Sequence, residues 1–399
     1  MRYEKKSMNH LVKNFVLFSI KISGTLFLVV AFIVGGIYLT TRMYDFPPSK
    51  PFSGEFFYNP YASCTDKTPT LRANFHAHTV AWGNVTYGHN SDQELYDGYV
   101  ANGYDIAGIS NYHTISSYGK GKSSVYIPIY EHGYNVFKSH CLALKAKEVS
   151  YLDYPLFQST SHQQTIIENI KKTGSLVAVA HPNLVGSRTM EDMKCLVHYD
   201  FLEVLNHYRN SDKEWDAALS SGRLSWIIAN DDTHDVTDET AMKIWNVIYS
   251  NSRNADSILT NMKRGMHYGV KTEQGINNNE LVSCQVENDV IRVSFKNPVL
   301  HFDVMGQDGK MIDYQYSNRY FEYKIKPTDT YIRFVAKSHK SIIFMNPIVR
   351  YDGKNLPLTS QVAPLLNVPK TFIVRGIIAL FLLEIVLLFG KLWKPTSKS

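Results

Sequence analysis

Histidine and carboxylate side chains recur at the ends of short apolar segments in the middle of the chain. His76 and His78 stand in the sequence HAHT, His181 follows VAVA, and Asp232 and His234 follow SWIIAN. Alternate side chains of an extended segment share one side, so both histidines of HAHT point the same way. Imidazoles and carboxylates are ligands of zinc, manganese and iron. The pattern therefore predicts a metal site.

Four further residues fit the same pattern. His113 follows IAGIS, Glu148 closes LKAKE, and Glu203 and His207 lie in FLEVLNH. A single histidine of this kind is more often an ordinary loop residue, and it is the recurrence at successive segment ends that favours metal binding. We interpret His89 as an intermediate case and the remaining histidines as surface or core residues: His10, His132, His140, His162, His198, His267, His301 and His339.

Strand-like and helical segments alternate from residue 71 onward. Such alternation predicts parallel strands covered by helices, and the number of units favours a barrel. In a barrel of parallel strands the carboxyl ends share one rim, where the candidate ligands would meet. The predicted strands are 73–76, 106–110, 144–149, 176–180, 201–205 and 226–229, and the predicted helices are 92–102, a helix ending at 142, 163–172, 190–197 and 212–220.

Five motifs, in order, resemble those of the PHP (polymerase and histidinol phosphatase) domain phosphoesterases over about half the chain. They are HAHT, AGISNYH, the strand ending in Glu148, AHPN and the DTH triplet. The resemblance implies a distorted (β/α)7 barrel that holds two or three divalent ions, namely zinc, manganese or iron. The ligands that it implies are His76, His78, Glu148, His181, Asp232 and His234, with His113 and His207 as further candidates.

One motif departs from the family pattern. The family usually shows Thr-Asp-His where this chain has Ser110, Asn111, Tyr112 and His113. Either one residue is inserted or the aspartate has become Asn111, and the identity of one metal ligand depends on which. The later segments MKRGMHYGV and IIFMNPIVR resemble a branch of the family that carries an added β-sandwich.

The expected reaction is hydrolysis of a phosphomonoester or phosphodiester by metal-activated water. His113, His207 and Asp231 are the candidate proton donors to the leaving group. The same activated water attacks acyl carbon, so hydrolysis of a carboxylic ester, amide or carbamate is the alternative. A third interpretation is a non-catalytic barrel that binds a phosphorylated ligand.

The two ends of the sequence are apolar over lengths that can cross a bilayer. About 20 helical residues are needed, and residues 15–40 and 372–389 supply them. Flanking lysines and arginines, Lys398 among them, place both termini in the cytoplasm and the catalytic domain outside the cell membrane. We hypothesise that Lys21 and Glu384 pair within the membrane, the alternative being that each charge lies at the membrane surface.

The net charge is only +6 and the basic residues are scattered, so no nucleic acid is expected as a partner. The expected substrate is a small-molecule, lipid or glycan phosphoester. The four cysteines lie far apart and leave disulfide pairing open. The predicted organisation is a cytoplasmic tail and transmembrane helix (1–43), a linker (44–70), a PHP-like barrel (71–276), a β-sandwich (277–358), and a linker, second transmembrane helix and tail (359–399).

Overall fold

The computed structural model describes residues 2–86 and 88–394, with side chains from residue 12 onward. Lys398, one of the cations that flank the second apolar segment, lies outside the described residues. The chain forms two compact units. One contains residues 1–45 and 366–399, and the other is Phe46–Leu365.

Seven helices and eighteen strands are described. The helices are α1 (Arg2–Tyr38), α2 (Asp92–Ala101), α3 (Thr160–Lys172), α4 (Met190–Cys195), α5 (Asp212–Ser220), α6 (Ala255–Lys263) and α7 (Val368–Leu392). The strands are β1 (Tyr44–Asp45), β2 (Phe56–Tyr58), β3 (Thr70–Asn74), β4 (Ile106–Ala107), β5 (Ile129–His132), β6 (Cys141–Leu144), β7 (Leu176–Val179), β8 (Phe201–Leu205), β9 (Trp226–Ala229), β10 (Ile244–Tyr249), β11 (His267–Thr272), β12 (Leu281–Glu287), β13 (Val290–Gly306), β14 (Lys310–Lys324), β15 (Tyr331–Lys337), β16 (Ser341–Met345), β17 (Ile348–Tyr351) and β18 (Leu365–Leu366).

Two sheets build the larger unit, which is a mixed α/β structure. The first has the order β5-β6-β7-β8-β9. Its strand β6 runs antiparallel to both neighbours, whereas β7, β8 and β9 are parallel. The second sheet has eleven strands and follows the order β12-β13-β15-β16-β11-β10-β3-β4, with β14 on β13 and with β17 and β2 joined through β15. Parallel pairing of β3 with β4 sets the carboxyl ends of these two strands at one edge.

The two sheets meet at two seams made by single residues rather than by continuous ladders. At one seam the side-chain amide of Asn246 accepts from the backbone N–H of Ala229 at 2.9 Å and donates to the carbonyl oxygen of Ala229 at 2.7 Å. At the other, the backbone N–H of Glu131 donates to the carbonyl oxygen of Ser110 at 3.1 Å, and Tyr112 bridges Glu131. The seams bring the strands that carry the candidate ligands around a common centre.

Helix starts follow the capping rules that the sequence encodes. Ser91 and Glu94 form a reciprocal capping box at α2, and Thr189 and Asp192 form one at α4. Each box satisfies two backbone N–H groups that a helix end would otherwise leave without a partner. These caps fix where the loops that follow β3 and β7 end.

Most elements predicted between residues 71 and 230 are confirmed, and three match to the residue: β8, α5 and β9. The helix predicted to end at residue 142 is wrong. Glycines with positive φ at Gly119 and Gly121 break the segment, and strand β5 follows instead. The strand predicted at 144–149 is displaced toward the N-terminus, where β6 ends at Leu144.

The C-terminal strands continue the sheet of the N-terminal part. Strand β16 pairs antiparallel with β11 from Met345 opposite Tyr268 onward, so hydrogen bonding crosses the boundary predicted at residue 277. A buried ion pair also joins the parts: Arg333 donates to both oxygens of Asp216, at 2.7 and 2.5 Å. The tyrosine hydroxyl of Tyr331 donates to the same carboxylate at 2.9 Å.

The segment predicted as a linker at 44–70 is partly built into the larger unit. Strand β2 pairs with β17. Tyr61 is fully buried, and its hydroxyl donates to the carbonyl of His267 and accepts from the backbone N–H of Asn346. All four cysteines are free thiols in the described structure.

Two helices of the smaller unit are long and apolar enough to cross a membrane, Val12–Tyr38 and Val368–Leu392. They pack antiparallel, with Gly24 against Leu392 and Gly35 against Leu382. A Cβ at Gly35 would come within 2.8 Å of the Leu382 side chain, so the glycine permits the close approach.

The hypothesised pairing of Lys21 with Glu384 is wrong. This packing puts Lys21 beyond the level of Leu392 and Glu384 near the level of Gly35, about 18 Å apart at a rise of about 1.5 Å per residue. The ammonium group of Lys21 lies over the Trp393 ring instead, 5.6 Å from its centroid.

The Asp216–Arg333 pair should contribute strongly to stability. We expect Asp216→Asn to lower the free energy of unfolding by about 3 kcal/mol, because it leaves a buried guanidinium without its counter-charge. Urea denaturation of the full chain in micelles, followed by tryptophan fluorescence, measures the change. The control is Glu322→Gln, which removes the exposed partner of Arg292. Equal midpoints for both variants would contradict the assignment.

Candidate metal centre

The HAHT segment lies extended between two other segments and presents both histidines to the centre of the larger unit. The backbone N–H of His78 donates to the carbonyl of Thr233 at 2.8 Å, and that of Asp232 donates to the carbonyl of His76 at 3.0 Å. On the other side Ala77 pairs with Ser110. With the backbone held on both sides, the rings of His76 and His78 lie 5.2 Å apart and are buried.

Glu131 stands at the centre of the cluster. Its carboxylate lies 2.8 Å from Nδ1 of His140 and 3.2 Å from Nε2 of each of His76, His78 and His181. Asp232 faces the same imidazoles from the opposite side, 3.2 Å from Nε2 of His76 and 3.3 Å from that of His78.

A third carboxylate orients the cluster from behind. Glu203 Oε1 accepts from Nδ1 of His76 at 3.0 Å, which fixes the tautomer and leaves Nε2 directed at Glu131 and Asp232. The Glu203 carboxylate also accepts hydrogen bonds from the backbone N–H of His181 and from the side-chain amides of Asn206 and Asn230. A carboxylate behind a histidine is the usual support of a metal ligand.

Several buried donor atoms point at this centre without making hydrogen bonds. They include Nε2 of His76, Nε2 of His78 and Oε2 of Glu131. Buried polar atoms are normally hydrogen-bonded, so their convergence requires another partner. Four sets of three ligand atoms lie within 4.8 Å of one another: His76–His181–Glu203, His76–His78–Glu131, His78–Asp232–His234 and Glu131–His140–His181. The residues fit divalent metal ions.

The electrostatics of the centre are those of a site that needs cations. Burial disfavours the charged form of His76, but Asp232, Glu203 and Glu131 outweigh it and raise the pKa of His76 well above its usual value. Burial, followed by the neighbouring His78, lowers the pKa of His234 to about 4. Bound cations would balance the three carboxylates and leave the imidazoles neutral, as ligands must be.

Backbone strain accompanies the ligands. His181 and Asp232 have φ values of 26° and 54°, in a region that residues other than glycine rarely adopt. Such strain persists where surrounding contacts hold it and is common at functional sites. The sharp turn at each position directs the side chain back over the end of its strand.

Of the predicted ligands, the structure brings together His76, His78, His181, Asp232 and His234. It places Glu148 elsewhere, exposed on the surface. The prediction assumed that all strands were parallel, but β6 is antiparallel to β5 and β7. The carboxyl end of β6 therefore lies at the far edge, and its amino end, preceded by His140, lies at the metal centre.

The sequence analysis missed Glu131 as a ligand candidate and assigned His140 to the surface or core. Glu131 was hidden because a helix was predicted over its strand. The available signal was the segment IYEH, in which an apolar and an aromatic residue precede an acid and a histidine. A buried acid in such a strand requires a partner.

His113 and Asp231 are engaged by the scaffold. In His113, Nδ1 bonds the carbonyl of Ser150 at 3.2 Å, and Nε2 accepts from the N–H of Gly133 at 3.1 Å. Asp231 accepts from the hydroxyl of Tyr99 at 2.7 Å and from three successive backbone N–H groups at 242–244. Burial raises the pKa of Asp231 to about 6. Neither side chain faces the cluster as a ligand or proton donor.

His207 lies at the rim beside the cluster, outside the four ligand sets. Its Nδ1 bonds the backbone carbonyl of Asp231, and its ring packs on Tyr208. The opposite nitrogen, Nε2, is not used by that hydrogen bond. Of the three candidate proton donors, His113, His207 and Asp231, only His207 has a ring nitrogen that the hydrogen bonds described here leave available to donate a proton.

The side-chain positions at residues 110–113 show which residue of the altered motif faces the metal centre. The amide of Asn111 accepts from the N–H of Thr79 at 2.8 Å and donates to its hydroxyl at 2.6 Å, so Asn111 anchors the end of HAHT. The ring of Tyr112 stacks on His78 with centroids 4.8 Å apart and meets His140 edge-on. Tyr112, rather than His113, faces the centre.

No protein-family model and no curated protein matches the sequence. Similar solved structures include a two-domain protein containing a predicted PHP-like metal-dependent phosphoesterase from Bacteroides vulgatus, with 13% identity, 80% of this chain and 98% of that chain covered, and a TM-score of 0.40. The lesion-specific endonuclease PfuEndoQ from Pyrococcus furiosus shares 12% identity over 50% of this chain and 56% of its own, with a TM-score of 0.34. Endonuclease Q in complex with a 27-mer duplex containing an abasic lesion gives 11% identity over the same shares of the two chains and a TM-score of 0.30.

The first of these neighbours is described as PHP-like, which is the family that the motifs resemble. The geometry of the metal centre establishes a cluster of five imidazoles and three carboxylates, all buried except the half-buried His234.

Glu131 and Glu148 offer a matched test of the centre. We expect Glu131→Gln to weaken divalent-metal binding by about 100-fold or more, because the carboxylate at the middle of the cluster becomes a neutral amide. Glu148→Gln should leave metal content unchanged. Mass spectrometry of the dialysed full chain measures bound metal. Loss of metal from the Glu148 variant together with retention in the Glu131 variant would contradict the placement of the site.

Proposed function

We propose that this chain is a metal-dependent phosphoesterase of the PHP type, which hydrolyses a phosphomonoester or phosphodiester. The observation that carries the proposal is the convergence of Glu131, Asp232 and the HAHT histidines. Within this group Nε2 of His76, Nε2 of His78 and Oε2 of Glu131 have no hydrogen-bond partner. We propose that strands among β3 to β10, which meet at the two seams, correspond to the distorted (β/α)7 barrel. Two or three ions, of zinc, manganese or iron, are proposed as cofactors.

In this proposal each of three ligand sets holds one ion. His76, His78 and Glu131 would hold one ion, Glu131 with His140 and His181 a second, and His78 with Asp232 and His234 a third. When bound, the ions supply a hydroxide at neutral pH and stabilise the negative charge of the phosphoryl oxygens. Glu203 fixes the His76 tautomer.

The protein's own proton donor in this proposal is His207. Its ring is held by the bond from Nδ1 to the Asp231 carbonyl and by contact with Tyr208, so Nε2 has a fixed direction. A protonated imidazole there would donate to the leaving oxygen as the phosphorus–oxygen bond breaks. Tyr112 covers one face of His78 and limits the access of water to the ligands.

The location proposed is a membrane, with both termini in the cytoplasm and the catalytic unit outside. Two apolar helices near the chain ends are compatible with anchoring. The orientation follows from the flanking cations of the sequence. An external domain would meet phosphoesters of the cell envelope or incoming nutrients.

Substrate panels test the reaction class. The metal-loaded full chain should hydrolyse p-nitrophenyl phosphate or bis-p-nitrophenyl phosphate much faster than p-nitrophenyl acetate, and a chelator should remove the activity. Added manganese or zinc should restore it, since the ligands remain in place. Ester hydrolysis that exceeds phosphoester hydrolysis would replace the proposal with an acyl hydrolase, and metal binding without turnover on either class would make it a binding protein.

The proton-donor role predicts a leaving-group effect. We expect His207→Ala to lower kcat about 100-fold for an alkyl phosphate, whose leaving oxygen needs a proton, and much less for p-nitrophenyl phosphate. Comparing the two substrates separates this role from general damage. His339→Ala, an exposed histidine in the turn before β16, is the control. Equal losses on both substrates would refute the assignment of the donor.

A further inference from the structure

Three loops that carry metal ligands also carry exposed apolar side chains. The loop after β3 holds His76 and His78 and then Trp82 and Val85, and the loop that links β5 to β6 holds Val136 and Phe137 and ends at His140. Val185 follows His181 in the loop after β7. All five apolar side chains are more than half exposed. We name Trp82, Val85, Val136, Phe137 and Val185 the apolar collar.

Hydrogen bonds tie the collar closely to the metal centre. The indole N–H of Trp82 donates to the backbone carbonyl of Tyr112 at 2.7 Å, and the Tyr112 ring stacks on His78. In the loop after β7 the N–H of Leu184 donates to the carbonyl of His181 at 2.8 Å, one residue before Val185. Trp82 therefore contacts the residue that stacks on His78, and Val185 lies in the turn that begins at His181.

The backbone of the collar is strained in a way that packing does not explain. Trp82 and Val185 have φ values of 51° and 47°. Bulky and β-branched residues rarely adopt this region, where glycine or asparagine is more stable. Since both side chains point largely into solvent, their apolar surface gives no compensating burial within the chain. Large apolar groups held exposed in this manner are typical of a contact with an apolar ligand.

Cations lie on the same rim. Lys138 belongs to the loop of Val136 and Phe137, and Arg209 to the loop after β8. Both side chains are exposed. Exposed aromatic and aliphatic groups interspersed with lysine and arginine are the composition of surfaces that enter the headgroup region of a bilayer.

We propose that the substrate is a phosphomonoester of a membrane lipid, whose apolar part contacts the collar while its phosphate reaches the metal centre. The inference rests on the proposed phosphoesterase function. In the reaction the oxygen of water bonds to phosphorus, the bond from phosphorus to the lipid oxygen breaks, and that oxygen takes a proton. The products are the lipid alcohol, which stays in the bilayer, and inorganic phosphate, which leaves.

Paired substrates and paired variants test the collar. The full chain is reconstituted in phosphatidylcholine nanodiscs and assayed with dioleoyl phosphatidate in the bilayer and with glycerol 3-phosphate in solution. Phe137→Asp should lower kcat/KM about tenfold for phosphatidate, because an apolar contact becomes a charge, and leave glycerol 3-phosphate unchanged. Met311→Asp is the control, since Met311 has a similar exposed fraction, 52% against 53%, and lies in β14 away from the ligand loops.

A second measurement does not depend on turnover. A bimane probe on Phe137→Cys should emit at shorter wavelength in nanodiscs that contain phosphatidate than the same probe on Met311→Cys, because the collar enters the lipid. Equal emission at the two positions, or equal effects of Phe137→Asp on both substrates, would overturn the collar proposal. Hydrolysis of p-nitrophenyl phosphate without hydrolysis of phosphatidate would overturn the lipid substrate and leave the phosphoesterase function intact, whereas no hydrolysis of any of these phosphoesters would overturn both.

Discussion

The structure of the larger unit depends on one electrostatic constraint: three carboxylates and five imidazoles are packed together away from water. Glu131 and Asp232 face the same ring nitrogens at 3.2 to 3.3 Å. Desolvation of so many titratable groups is costly unless opposite charge and directed bonds offset it. Divalent ions at the shared positions supply both, and the surrounding network of Glu203, Asn206 and Asn230 holds the ligands in place.

The fold meets this constraint by an irregular sheet order. One antiparallel strand, β6, sends its amino end to the centre, so His140 arrives from a loop that a regular parallel barrel would place on the opposite edge. At the seam beside β9 a side-chain amide takes the place of a backbone ladder. The Asn246 amide accepts a hydrogen bond from the N–H of Ala229 and donates one to its carbonyl oxygen. These side-chain hydrogen bonds leave room for the bulky side chains of the metal centre, and they still satisfy the backbone N–H and C=O groups.

Features that depend on neighbouring residues in the sequence were predictable, whereas features that depend on strand pairing were not. Elements with a clear period and clear ends, such as β8, α5 and β9, were predicted to the residue. The candidate ligands His181, Asp232 and His234, which follow strands β7 and β9, lie together in the cluster. Strand direction is not local, because it depends on which neighbours pair. That is why Glu148 was chosen in place of Glu131. Which of the neighbours Tyr112 and His113 faces the centre was likewise not readable from the sequence, and His113 has a positive φ of 48°.

The apolar helices were readable from composition, whereas their register was not. The depth of Glu384 relative to Lys21 was misjudged because helix α7 extends to Leu392, three residues beyond the predicted span. Small residues, notably Gly35, set the helix contact instead of the proposed ion pair. Packing of this kind is decided by which faces approach most closely.

The convergence of ligands on shared cations is tested most directly by anomalous diffraction from crystals of the full chain loaded with manganese. The account predicts anomalous peaks at coordinating distance, about 2.0–2.2 Å, from Nε2 of His76 and from the carboxylates of Glu131 and Asp232. Peaks near Glu148, or ordered side chains at the centre with no peak between them, would contradict it.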